Sequence, residues 1–304
     1  MEKETRDKLV QIQAMTDTLT KFITYIGKVL PDDTFRKLVE LRKLEVNPMA
    51  SLIYDTIFEN QELALKLDRP SCQNTGVIQF YARVGSRFHL TDELPEIFHN
   101  AVLEVTKKAP LRHNTVETFD EYNTVLNTGY RIPDIDWEIV PGSDELYLNV
   151  YMAGGGCTLP GKAIVLMPGT GYEGVAESVL DVMTSYGLDA CPPLLVGVGV
   201  ANEVEMAEKL SKRALMRPLD SRNSNEKTAM MEQELEEAID ALGLGPQGLS
   251  GARPVMGVHI ENAARFSSAI GVVVSTGCWS HRRGTIVFKQ DLTYSIITHK
   301  DAKL

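Results

Sequence analysis

The stretch "CPPLLVGVGVANEVEMAEKLSKRALMRP", residues 191–218, decides the class of fold. Its run Leu194–Val200 is apolar without alternation, which is how a strand buried on both faces reads. From Asn202 the spacing changes. Apolar residues recur every three or four positions, with Glu203 and Glu205 near the start, so a helix is expected that stops before Pro218. Gly197 and Gly199 suggest a dinucleotide fingerprint, but Asn202 occupies the third glycine position. Close packing of a helix on the strand is the favoured role for the pair.

Working outward, residues 4–68 carry helical periodicity, punctuated by Pro31 and its acidic neighbours and ending near Pro70. "VIQFYARVG" (77–85) reads as a strand and "DELPEIFHNAVLEVTKKA" (92–109) as a helix. "WEIV" and "ELYLNVYMA" (137–153) read as two strands about a turn. "AIVLMPG" (163–169) is extended, and 173–187 and 225–245 are helical, the latter closed by Gly243 and Gly245. "PVMGVHIENA" and "SAIGVVVSTGC" (254–278) are further strands. This alternation predicts an α/β fold with mixed sheets, flanking helices and a helical N-terminal region. The expected organisation is one domain, 1–304, with a helical region 1–69 and an α/β region 70–304.

The chain has 304 residues, 43% of them hydrophobic, enough for a substantial core. Its net charge of -10 does not favour nucleic acid or an anionic membrane as partner. The N-terminus lacks the apolar core of a signal peptide, and no run approaches the roughly 20 apolar residues of a membrane helix. A cytoplasmic protein is expected, and disulfides among its four cysteines are not.

Three stretches suggest chemistry. "GCTLPGK" (156–162) matches a phosphate-binding GxxxxGK, but Ala163 stands where magnesium binding needs Ser or Thr, and an extended segment follows instead of a helix. A nucleotide-binding module is therefore a remote alternative. "GLSGA" (248–252) misses the nucleophile elbow because Ala252 replaces the last glycine. Cys72, Cys191 and Cys278 each lie in a turn at a strand end, far apart in sequence. Zinc sites show paired short spacings, whereas lone loop thiols from distant segments suit an iron-sulfur cluster better. Buried, inert thiols remain the alternative.

Six stretches together carry a resemblance over nearly the whole chain: "RPSCQNTG", "APLRHN", "YMAGGGCTLPG", "ACPPLLVGVGVA", "LGLGPQGLSG" and "STGCWSHRRGT". The chain resembles the α subunits of the iron-sulfur hydro-lyases, the class I fumarases and L(+)-tartrate dehydratases. Fumarase α subunits typically read GGGSEN and CHAARHKE where this chain has "GGGCTLPG" and "CWSHRRGT", which look like the tartrate branch. The resemblance implies a [4Fe-4S] cluster held by Cys72, Cys191 and Cys278, with one iron left open as a Lewis acid. It implies substrate contacts from Gln73, Asn74, Arg112 and the loop Gly154, Gly155 and Gly156, whose N–H groups can approach a carboxylate. His259 is a candidate for orienting substrate or moving a proton, or a satisfied core residue. Of His281, Arg282 and Arg283, one is expected to face the site and the others to form a solvated basic face. Cys157 is expected to be a packed thiol. Where the family reads Cys-Gln-Asp, this chain has Cys72-Gln73-Asn74. The implied activity is dehydration of (R,R)-tartrate to oxaloacetate, with the fumarase reaction as alternative. Further site residues are expected from a β subunit in an α2β2 heterotetramer, acting on a small dicarboxylate.

Overall fold

A computed structural model describes residues 2–304, with side chains from Arg6 onward. In chain order its helices are α1 (Glu2–Ile26), α2 (Asp32–Leu44), α3 (Pro48–Lys66), α4 (Leu94–Lys108), α5 (Gly155–Thr158), α6 (Glu173–Tyr186), α7 (Val204–Met216) and α8 (Glu226–Asp240). The strands are β1 (Val77–Gly85), β2 (Val116–Glu117), β3 (Tyr122–Asn123), β4 (Asp134–Val140), β5 (Leu146–Ala153), β6 (Lys162–Leu166), β7 (Leu194–Ala201), β8 (Val255–Asn262), β9 (Ile270–Gly277), β10 (Arg283–Phe288) and β11 (Tyr294–Ile296). The fold is α/β with mixed sheets, as the alternation of patterns predicts. No helix among the described residues is long and apolar enough to cross a membrane.

Contacts divide the chain into two units that do not follow the boundary at residue 69. The first takes the chain up to Asp32, Gln61–Ala153 and Arg282–Leu304. The second takes Asp33–Asn60 and Gly154–His281, so the N-terminal helices are shared between them.

The first unit is a five-stranded sheet in the order β11-β10-β5-β1-β4, with β1 parallel to β4 and every other pair antiparallel. Strand β5 alternates at its start, burying Leu146, Leu148 and Val150. Helix α1 presents Met15, Leu19, Phe22, Ile23 and Ile26 at helical spacing, and α4 adds Ile97, Phe98, Ala101, Val102 and Val105. These stripes and the sheet form one core, in which Phe80 of β1 stacks on Phe98 with ring centroids 4.6 Å apart. A two-stranded ribbon, β2 with β3, lies outside the main sheet.

The second unit is a four-stranded sheet in the order β6-β9-β7-β8, with β7 parallel to β8 and antiparallel to β9. Strands β7 and β9 are buried along their whole length. One face of β7 presents Gly197 and Gly199 to α7. A Cβ at Gly199 would lie 1.8 Å from the Ala207 carbonyl oxygen, and one at Gly197 2.3 Å from that of Ser211. The two glycines therefore serve helix–sheet packing. The other face carries Val196, Val198 and Val200 into a core with Val175, Val179 and Val182 of α6 and Leu235 and Ile239 of α8. The outer edge of β8 is closed by side chains. The Val258 and Ile260 N–H groups donate to Glu236 (2.9 Å) and Glu232 (2.8 Å) of α8, and the Ile260 carbonyl accepts from Asn223 (2.7 Å). Arg217 pairs with the fully buried Glu232 at 2.8 Å.

Candidate functional site

In the first unit, the sheet delivers three of the candidate segments to one end. Val77 pairs with Ala153 and Arg283 with Tyr151, so the start of β1, the end of β5 and the start of β10 coincide. The Cys72-Gln73-Asn74 loop enters β1 through Gly76, which has φ +80°. A Cβ there would lie 2.7 Å from the Ala153 carbonyl, so only glycine passes. The "LRHN" segment is tied to the same loop. The Arg112 N–H donates to Thr75 Oγ1 (2.9 Å), and Asn114 Nδ2 donates to the Gly76 carbonyl (3.0 Å). Gln73 and Arg112 are exposed, while Cys72 and Asn74 are half-buried. Arg282 reaches this loop from β10's start: its Nη2 donates to the Asn74 carbonyl at 2.6 Å.

In the second unit, β7 begins just after Cys191 and β9 ends just before Cys278, with Leu195 paired to Gly277. The Trp279 N–H donates to the Cys191 carbonyl at 3.3 Å, which holds the Cys191 and Cys278 segments together. The glycine loop joins them. It folds into the single turn α5, the Thr276 hydroxyl donates to the Cys157 carbonyl (2.8 Å), and a Cβ at Gly156 would lie 2.6 Å from the Asp189 carbonyl. Cys157 itself is buried, whereas Cys72, Cys191 and Cys278 are half-buried. Lys162 opens β6 instead of a helix and pairs with Asp181, so the GxxxxGK stretch has no helix N-terminus for a phosphate.

Backbone strain gathers at this end. Cys191 adopts the left-handed conformation (φ 59°, ψ 73°), as does Gln247 (φ 54°, ψ 21°). Gln247 donates twice to the Pro192 carbonyl, from its backbone N–H (3.0 Å) and from Nε2 (2.7 Å). The side chain thus clamps the turn that carries Cys191. Further along, Glu45 accepts the Ala252 N–H at 3.0 Å and anchors the rest of the "GLSGA" loop.

The histidines and arginines after Cys278 depart from the solvated face expected of them. His281, Arg282 and Arg283 are 0%, 1% and 2% exposed. His281 Nε2 lies 2.9 Å from the Leu215 carbonyl, and His259 Nδ1 lies 3.0 Å from the Ala214 carbonyl. The two rings thereby meet consecutive carbonyls in the last turn of α7, that of Ala214 also accepting the Arg217 N–H at 3.3 Å. His259 is fully buried, and burial, then the Arg217 charge, pushes its pKa down to about 4. It is placed as a neutral core residue. Neither Gln247 nor Arg282 was marked out by spacing. Only the motifs around them, glycine-rich in one case and cysteine-led in the other, signal the region.

Among the described residues, no three His, Cys, Asp or Glu side chains are grouped so as to hold a metal ion. A four-iron cluster takes one thiolate per iron at separate corners, so its ligands do not crowd one point as those of a single ion do. The donor set suits such a group: three soft sulfur donors at strand-end turns, two of them tied together by the Trp279–Cys191 hydrogen bond.

Residues 16–287 match the Fumerase family, described as fumarate hydratase, in a single span that covers both units. The chain belongs to this family and so to the hydro-lyases, enzymes that remove or add water. It is 50% identical to the L(+)-tartrate dehydratase subunit alpha of Escherichia coli (strain K12) over 298 residues, 98% of each chain. The subunit of the same name from Shigella boydii serotype 4 (strain Sb227) is equally similar, again over 98% of each chain.

Proposed function

We propose that this protein is the α subunit of a hydro-lyase that dehydrates (R,R)-tartrate. Hydroxide leaves one carbon, a proton leaves its neighbour, and the resulting enol tautomerises to oxaloacetate. The observation that carries this assignment is the convergence of Cys191, Cys278 and the Gly154–Gly156 loop at one end of the second sheet, in a chain half identical to two tartrate dehydratase α subunits. Cys72, Cys191 and Cys278 would hold a [4Fe-4S] cluster. When bound, such a cluster would supply Lewis acidity that makes hydroxide a better leaving group.

The chain's own residues bind and orient. Arg112, anchored through its backbone to the Cys72–Gly76 loop, presents an exposed guanidinium suited to hold one carboxylate bidentately. The glycine loop offers backbone N–H groups to the other. Gln73 and Asn74 supply neutral amides for the hydroxyls. No proton transfer is assigned to His259 here, whose ring is buried with Nδ1 against the Ala214 carbonyl. The proton on the neighbouring carbon needs a base, which is assigned to a β subunit, as the name of the relatives' α subunit implies a partner. The assembly is proposed as an α2β2 heterotetramer in the cytoplasm. The family's name keeps a second substrate pair, malate and fumarate, in view.

The test is anaerobic reconstitution with ferrous iron and sulfide, followed by steady-state rates with and without the partner subunit. Dehydration of (R,R)-tartrate faster than of malate, only with both subunits present, is expected. Full turnover by this chain alone would refute the divided site, and a metal-free protein after reconstitution would refute the cluster.

A further inference from the structure

Among the described residues, Arg282 is the largest fully buried side chain, at 1% exposure. One of its nitrogens, Nη2, donates to the Asn74 carbonyl at 2.6 Å, while Nε and Nη1 have no hydrogen-bond partner. Its own carbonyl accepts the Met152 N–H at 3.0 Å, which fixes the backbone at the end of β5. No carboxylate pairs with its guanidinium among the described residues. The chain treats other arginines differently. Arg217 meets Glu232 and Glu261, and Arg222 meets Glu236.

A buried cation without a counter-charge costs stability, and a single neutral carbonyl does not offset the loss of hydration. The imbalance sits beside the loop that carries Cys72, Gln73 and Asn74. We propose that Arg282 is a positioning residue. It fixes the Cys72–Asn74 loop through the Asn74 carbonyl, and its charge acts through that loop to favour the bound dicarboxylate. The proposal rests on the hydro-lyase assignment above. It does not require substrate to touch Arg282, whose guanidinium has almost no surface of its own.

Charge and hydrogen bonding can be separated by substitution. Arg282→Gln keeps a donor for the Asn74 carbonyl and removes the charge. Arg282→Lys keeps the charge and loses the planar fork. The measurement is the rise in unfolding temperature that (R,R)-tartrate or malate gives the reconstituted full chain. Arg282→Gln is expected to lose at least half of the wild-type rise, and Arg282→Lys to keep most of it. An undiminished rise in Arg282→Gln overturns the proposal. So does an equal loss in both variants, because that pattern belongs to a residue that only holds the loop's shape. A variant that fails to fold is replaced by Arg282→Met, read by the same criterion against Arg282→Lys. A wild-type chain that neither diacid stabilises, alone or with the partner subunit, overturns the dicarboxylate site assigned above and this proposal with it, whereas a wild-type rise that Arg282→Gln keeps overturns this proposal alone.

Discussion

Asn74 stands where the resemblance carried by the sequence motifs implies an aspartate. An aspartate would bring a charge and only acceptors, whereas the asparagine brings a neutral amide with two donors. Its carbonyl is held by Arg282, so the side chain is presented from a fixed backbone. Asn74→Asp is expected to change the preference among diacids, with kcat/KM shifted about tenfold or more for at least one of tartrate and malate. Unchanged kcat/KM for both would show that the position is indifferent.

His259 carries a second consequence at this scale. Burial keeps its ring neutral down to about pH 4, while the same ring in the unfolded chain takes up a proton near pH 6.5. Between those values the unfolded state binds more protons, so stability is full above pH 6.5 and falls as the pH drops towards 4. The loss reaches on the order of 2 to 3 kcal/mol. Urea unfolding at a series of pH values should show it, and His259→Gln should flatten the decline across that window.

Among the elements, the pair β7 and α7 was legible from residues 191–218 because its signals are local. An unbroken apolar run, a change of period and a closing proline suffice. The close approach was also written there, as the two glycines that face α7. Gly199→Ala would drive a methyl group into the Ala207 carbonyl. It is expected to destabilise the second unit by about 3 kcal/mol or more, measured by urea unfolding. The strands of the first sheet were harder. "WEIV" and "ELYLNVYMA" look like neighbours about a turn, yet β1 runs between them, parallel to β4 and antiparallel to β5. Nothing near residue 140 encodes that insertion, because pairing depends on a strand some fifty residues earlier. Strands β10 and β11 escaped notice for a similar reason: six and three residues long, they are specified by what they pair with.

At the scale of the whole molecule, the sequence placed each cysteine correctly at a strand end, because turn residues flank all three. It could not reveal that the first unit is assembled from segments at both chain ends and the middle. Nor could it show that the basic run after Cys278 points inward. Burial of Arg282 and Arg283 follows from β10 joining β5, a contact between segments more than a hundred residues apart. The candidate site was legible as a set of motifs, and its supports were not. Gln247 clamps Pro192 from a loop fifty-five residues away, and Glu45 holds Ala252 from two hundred and seven.

The closed margin of β8 has a bearing on assembly. Carboxylates of α8 already occupy the amides through which a foreign strand would add itself, and Glu232 is locked in place by Arg217. Extension of this sheet by a visiting polypeptide is blocked from within, so recognition along that flank must proceed through the outward surface of the helices. Specificity of pairing there would be written in side chains, which can differ from one partner to the next, and not in the uniform main chain.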